Sequence, residues 1–168
     1  MSQLMPRTAL GFLLTDVSRL FRQSFEKAVE QSGLELTPGE IRALAHVTTY
    51  DGSRQAVLAE LMGVEPMTLS AYIDRLEMQG LVTRMPDPTD RRAKVIRPTE
   101  KVEKLFDEVR PLALGVYSQA TRGLSPDQVQ TMEASLVAMR ANFGYEPSSD
   151  RRSRVGETRL AESKGAAA

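Results

Sequence analysis

Cysteine is absent from the 168 residues, and histidine occurs once, as His46. Without thiols the chain has no disulfide, no thiolate-held zinc, no cysteine nucleophile and no thiol redox switch. A lone histidine excludes HExxH and multi-histidine metal sites, and most Ser-His-Asp catalysis. No Gly-rich phosphate loop follows a strand, and no pair of carboxylates marks a cleft, so the expectation is a protein that is not an enzyme and needs no cofactor. No apolar run approaches the roughly 18 residues of a membrane span. Met1 to Pro6 holds no basic stretch leading into an apolar one, so no export signal is expected and a cytoplasmic location fits. There is no net charge either: 22 Lys and Arg balance 22 Asp and Glu. Hydrophobic residues at 41% and charged residues at 26% are those of an ordinary folded chain rather than a disordered or fibrous one.

Neutrality overall hides asymmetry within, which is what a polyanion would feel. Between Val82 and Pro98 the cations Arg84, Arg91, Arg92, Lys94 and Arg97 face only Asp87 and Asp90.

Apolar periodicity lays out the elements. Leu10, Leu13, Leu14, Val17, Leu20, Phe21, Phe25, Ala28 and Val29 recur at three- and four-residue steps, predicting a long helix that ends near Gly33. Phe12 adds apolar surface off that stripe, as a helix in a subunit interface would need. Thr37-Pro38-Gly39-Glu40 reads as a capping box with Pro at the first helical position. It opens a helix with Ile41, Leu44, Ala45 and Val47 inward. Asp51-Gly52 breaks that helix. Ser53 is expected to cap a short helix from Arg54 to Met62 with Val57, Leu58 and Leu61 inward. Gly63 turns the chain, and Pro66 starts a second helix to about Gln79 with Leu69, Tyr72, Ile73 and Leu76 inward. Two helices joined by so short a Gly turn form a helix-turn-helix. The period then changes to two. Leu81 to Arg84 and Lys94 to Arg97 predict a two-stranded hairpin around Met85-Pro86-Asp87-Pro88-Thr89-Asp90. Thr99 caps a long helix from Glu100 to about Arg122, with Pro111 expected to kink it. Ser125-Pro126-Asp127-Gln128 is a second capping box, opening a last helix with Val129, Met132, Leu136, Val137 and Met139 on one side.

On these residues the chain resembles the MarR family of bacterial transcription regulators. Leu58-Ala59-Glu60-Leu61-Met62-Gly63-Val64 is similar to the family's first helix-turn-helix segment. Leu69 to Leu81, with Asp74-Arg75-Leu76-Glu77, resembles its recognition helix, and Asp87-Pro88-Thr89-Asp90-Arg91-Arg92-Ala93-Lys94 its wing. The likeness spans about residues 8 to 143 and departs at Glu65, where the family usually caps the recognition helix with Ser or Thr, at Pro98, where the strand is expected to stop early, and at Val102. It implies a mainly α fold with a small β-hairpin, in which a winged helix-turn-helix (37–98) is flanked by long N- and C-terminal dimerisation helices (8–36 and 99–144). A disordered tail (145–168) is expected beyond. It further implies a homodimer that binds pseudo-palindromic double-stranded DNA and, in many members, releases it when a small aromatic or phenolic ligand enters a cleft.

DNA reading needs a rigid element that fits the major groove and carries polar side chains near its N-terminal end. Pro66, Met67, Thr68, Ser70 and Ala71 meet that need: Thr68 and Ser70 for base edges or phosphate, Met67 and Ala71 for thymine methyls. Arg75 lies one turn on. Arg91 and Arg92 stand at the wing tip, where an Arg can enter a narrowed minor groove, and the resemblance favours Arg92. Asp74 and Asp90 are the candidates for orienting it. Arg84 and Lys94, with Ser53, Arg54 and Gln55 at the start of the first helix of the motif, are candidate phosphate contacts. Phe12, Leu13, Asp16 and Arg19 on the first helix, with His46 and Tyr50 on the second, are candidate walls of an effector cleft. Simple solubility and structural roles remain open for each of these. An alternative function is a winged-helix protein-interaction module that does not bind DNA specifically.

Overall fold

A computed structural model describes residues 9–90 and 92–144. The expected tail and Arg91 lie outside the described residues. The chain divides into two compact units, Met1–Arg122 and Gly123–Ala168.

The first unit begins with α1 (Leu10–Ser32), closed by Gly33 in the left-handed conformation at φ 75°. α2 (Pro38–Thr49) starts from the expected capping box: the Thr37 hydroxyl accepts from the Glu40 amide while the Glu40 side chain accepts from the Thr37 amide. β1 (Ser53–Arg54), α3 (Gln55–Met62) and α4 (Pro66–Met78) follow, then β2 (Val82–Pro86), β3 (Lys94–Pro98) and α5 (Lys101–Ala120). α3 and α4 turn through 113° at their junction, as in a helix-turn-helix.

Two expectations change. The hairpin is a three-stranded antiparallel sheet in the order β1-β3-β2, with Ser53 opposite Ile96 and Arg54 opposite Val95. Ser53 therefore sits in a strand instead of capping α3, whose N-cap is Arg54 without a side-chain bond. A strand of two residues shows no periodicity, so pairing with β3 is its only sign. Pro98 does not shorten β3. It pairs with Val82 at the strand's last register position, where a missing N–H is tolerated. Pro111 lies inside α5, which is continuous from Lys101 to Ala120.

The core lies between α2, α3, α4 and the sheet. Ile41, Leu44, Val47, Leu58, Leu69, Ile73, Leu76, Val82 and Ile96 are all at most 1% exposed, and each such side chain contributes about 1.5–3 kcal/mol. Ala45, Val57 and Leu61 are not part of it; Ala43, Ala59 and Met62 are buried in their stead. The C-terminal half of α1 joins this core through Val29 and Phe25, and α5 through Val102 and Val109. The N-terminal half of α1 does not: Leu10, Phe12, Leu13, Val17 and Leu20 are exposed.

The second unit holds α6 (Pro126–Asn142), started by the expected capping box of Ser125 and Gln128. Its described residues bury nothing, and Met132, Leu136 and Val137 are exposed. Among the described residues no single helix is long and apolar enough to cross a membrane.

Candidate nucleic-acid interface

α4 presents the expected face. Its buried residues Leu69, Ile73 and Leu76 turn one side to the core. At 3.6 residues per turn the opposite side carries Met67, Thr68, Ala71 and Met78, all exposed, with Met67 at 81%. Ser70 is half-buried on the flank and Pro66 opens the helix. Glu65 occupies the N-cap without a side-chain bond. The first backbone N–H groups of α4 therefore take no bond from that side chain.

The wing is organised around Asp87, a buried acid. Its Oδ1 accepts from the Thr89 amide and the Thr89 hydroxyl, both at 2.7 Å, and from the Asp90 amide at 3.2 Å. Its Oδ2 accepts from Arg54 Nε at 2.6 Å. The Thr89 bonds, then Arg54, hold the Asp87 carboxyl far below the usual carboxylate range. The same pairing raises Arg54 above its ordinary value. Asp90 turns its carboxylate back to the Arg92 amide at 3.1 Å and lies 3.7 Å from Arg54. The turn is closed by backbone bonds between Asp87 and Ala93 and between Ala93 and Asp90.

These bonds redistribute the cations. Arg54 is a clamp between the wing and the start of α3, not an unengaged phosphate contact. Arg84 is likewise committed: its guanidinium donates to Asp74, at 2.5 Å, and to Glu77, both on α4. Only 22% of the Arg84 side chain is exposed, so the expected phosphate role is withdrawn for it. Asp74 consequently orients Arg84 and not Arg92, and Asp90 steadies Arg92 through the backbone and not through its guanidinium. Arg97 makes two parallel bonds to Asp51, at 2.9 and 3.0 Å. Arg75 donates to buried Glu40 at 3.0 Å while 62% of its own side chain stays exposed. Among the described residues Arg92 and Lys94 are exposed and form no ion pair. Ser53 and Gln55 are half-buried.

The physical reason is proximity that only folding creates. Arg84 is ten residues from Asp74, and Arg54 is thirty-three from Asp87. Sequence reasoning marks Glu40 only as half of a capping box, without its bond to Arg75, and gives Asp87 no special place. For Asp87 a signal existed, since an Asp two residues before a Thr in a Pro-containing turn is an Asx-turn pattern. For the pairing of Glu40 with Arg75 none did, because the two lie thirty-five residues apart.

The candidate effector residues fall into two separate sets. Arg19 bonds to Asp16 and Gln23 on its own helix. His46 Nδ1 pairs with the Arg42 carbonyl, and its ring lies 6.1 Å from that of Tyr50. Among the described residues no hydrogen bond, ion pair or ring contact joins the two sets. The α1–α2 ion pair is Glu26 to Arg42, at 4.0 Å, seven residues past Arg19 and so about 10 Å along the helix. Phe12 and Leu13 are exposed beyond it. Two open grooves border α1. One, of about 700 Å³, is lined by residues that include Arg19, Arg22 and Glu26. The other, of about 340 Å³, lies between α1 and α5, with Val17, Leu20, Phe21 and Val116 as its apolar wall and Ser24 and Gln119 as its polar groups.

Comparison with known proteins agrees with this architecture. A family model described as MarR family matches residues 36–94, which is the helix-turn-helix and wing. The uncharacterized HTH-type transcriptional regulator YybA of Bacillus subtilis (strain 168) is 31% identical over 115 residues, covering 68% of this chain and 77% of that protein. A MarR-family transcriptional regulator from Silicibacter pomeroyi superposes with a TM-score of 0.67 at 26% identity, over 80% of this chain and 89% of the other. CouR from Rhodococcus jostii RHA1, bound to p-coumaroyl-CoA, superposes with a TM-score of 0.60 at 28% identity, over 82% and 95%.

Proposed function

The chain belongs to the MarR family of transcriptional regulators, and from that premise we propose that it works as a homodimer on a pseudo-palindromic DNA operator. Each subunit sets Met67, Thr68, Ser70 and Ala71 of α4 into a major groove and Arg92 into the flanking minor groove. Lys94 binds phosphate. Two heads on one dyad read half-sites about one helical turn, 34–36 Å, apart. The observation that carries this reading is the wing: Asp87 and Arg54 prearrange a turn whose described cations, Arg92 and Lys94, are left unpaired. A turn built only for solubility would not need a buried acid with four donors.

Dimerisation is supported by the N-terminal half of α1. Leu13, Val17 and Leu20 are 47–57% exposed, as is Leu114 of α5 at 60%. Large contiguous apolar surface of that kind marks an interface. The regions 8–36 and 99–144 are the proposed source of that interface, and 37–98 the DNA-binding part. An aromatic ligand as the releasing signal is supported by the aromatic acyl thioester carried by CouR and by the groove between α1 and α5, which shares Val17 and Leu20 with the proposed interface and so would border it in the dimer. This moves the proposed ligand site away from His46 and Tyr50.

Selection of bound duplexes from a random pool gives the half-site and its spacing together. Arg92→Ala is expected to abolish most of the preference for that operator and to leave the dimer intact by sedimentation. An Arg92→Ala protein that shifts the operator as wild type does refutes the wing's role.

A further inference from the structure

The recognition helix is gripped on both flanks by ion pairs of opposite polarity. On one flank α4 supplies the acids: Asp74 and Glu77 receive Arg84 from β2. On the other α4 supplies the cation: Arg75 donates to Oε1 of Glu40 at 3.0 Å. Glu40 is 2% exposed, and its Oε2 accepts the Thr37 amide at 2.8 Å. One buried carboxylate thus starts α2 and anchors α4. Next to it Gly39 makes room for the helix. A Cβ there would lie 2.5 Å from both Cζ and Oη of Tyr72, so the ring or the helix that carries it would have to shift. Tyr72 and Arg75 are three residues apart and share a side of α4. Two consecutive residues of α2 therefore seat two neighbours of the recognition helix.

The buried stripe of Leu69, Ile73 and Leu76 fixes how deeply α4 sits. Rolling the helix would strain that packing, and directional bonds beside the stripe narrow the roll further. Base readout depends on roll, since a recognition group must be held within about 0.5 Å and 10–20° of its productive geometry. Directional bonds on both flanks contribute to that constraint.

We propose that Glu40, together with Gly39, is a positioning residue for operator readout, acting through Arg75 and Tyr72 to set the roll of the recognition helix from a buried site that touches no DNA. The inference rests on the operator-binding function above. It also makes Arg75 a structural partner held off the phosphates, in place of a base reader.

The test measures affinity of the full chain for the selected operator and for a random duplex of equal length, each across a salt series. Glu40→Gln keeps the side chain's size and its acceptor for Thr37 and removes the charge that holds Arg75. Operator affinity is expected to fall about tenfold, the scale of one lost base contact. Random-duplex affinity is expected not to fall, and its salt slope to steepen by about 0.9 per subunit as Arg75 becomes available to phosphate. General unfolding would lower both affinities together and leave the slope alone. A Glu40→Gln protein with the wild-type ratio of operator to random affinity overturns the proposal. Should Glu40→Gln not fold, Gly39→Ala is expected to lower that ratio, and Tyr72→Leu in the same chain to restore it by removing the two atoms that clash. An undiminished ratio in Gly39→Ala, or no recovery in the double variant, overturns the proposal too. If wild type itself has no operator preference, the operator-binding function fails, and this inference with it.

Discussion

Titrating salt against DNA affinity counts the cations a protein gives to phosphate, since each adds about −0.9 to the slope of log K against log salt concentration. Between Ser53 and Pro98 the sequence offers Arg54, Arg75, Arg84, Arg91, Arg92, Lys94 and Arg97. Were all seven engaged in both subunits of a dimer, the slope would be about −12.6. The structure commits four of them elsewhere: Arg54 to Asp87, Arg75 to Glu40, Arg84 to Asp74 and Glu77, and Arg97 to Asp51. Arg92 and Lys94 in two subunits give a slope of about −3.6, and counting Arg91 as well gives about −5.4. The expected slope, read by fluorescence anisotropy on the selected operator between about 50 and 200 mM salt, lies between those two values. Lys94→Ala should flatten it by about 1.8 for the dimer. Arg97→Gln should leave it unchanged, because that guanidinium already serves Asp51. A wild-type slope near −12.6, or an Arg97→Gln effect equal to that of Lys94→Ala, would refute the assignment of these ion pairs as persistent on DNA.

Two further outcomes follow from the described contacts. Leu76, fully buried on α4, should cost about 2–5 kcal/mol when cut to Ala. Met78→Ala, two residues on and 80% exposed, should stay within about 0.5 kcal/mol; equal shifts in denaturation midpoint would contradict the burial. A carboxyl titration by NMR should find Asp87 ionised well below the pH at which an ordinary aspartate protonates. A carboxylate with a depressed pKa stabilises the wing fully above its unfolded value of about 3.9 and loses that contribution only as the pH falls through the folded value. The wing therefore stays latched throughout mild acid. Arg54→Ala should raise the Asp87 midpoint without restoring it to normal, because the Thr89 bonds remain the larger cause. An Asp87 midpoint at the ordinary aspartate value in wild type would contradict the wing geometry.

Most of the fold was legible because its signals are local. Both capping boxes, at Thr37 and Ser125, form as read, since the two groups that bond are three residues apart. The stripe of Leu69, Tyr72, Ile73 and Leu76 could face only one way on a helix. The turn at Gly63 and the change to period two after Gly80 set the order of helix-turn-helix and wing, and on these the family resemblance stood. The sequence by itself also supplied the candidate DNA contacts, because charge and polarity travel with residue type.

What it could not supply was which of those residues are already taken. Arg54, Arg75, Arg84 and Arg97 look alike in a charge count. Each finds an acid between seven and forty-six residues away, and only the packing of α2, α4 and the sheet brings those groups within bonding distance. The same holds for β1, whose two residues carry no pattern of their own and become a strand only because β3 lies beside them. An ion pair is a property of distance, and distance between remote residues is set by the tertiary fold.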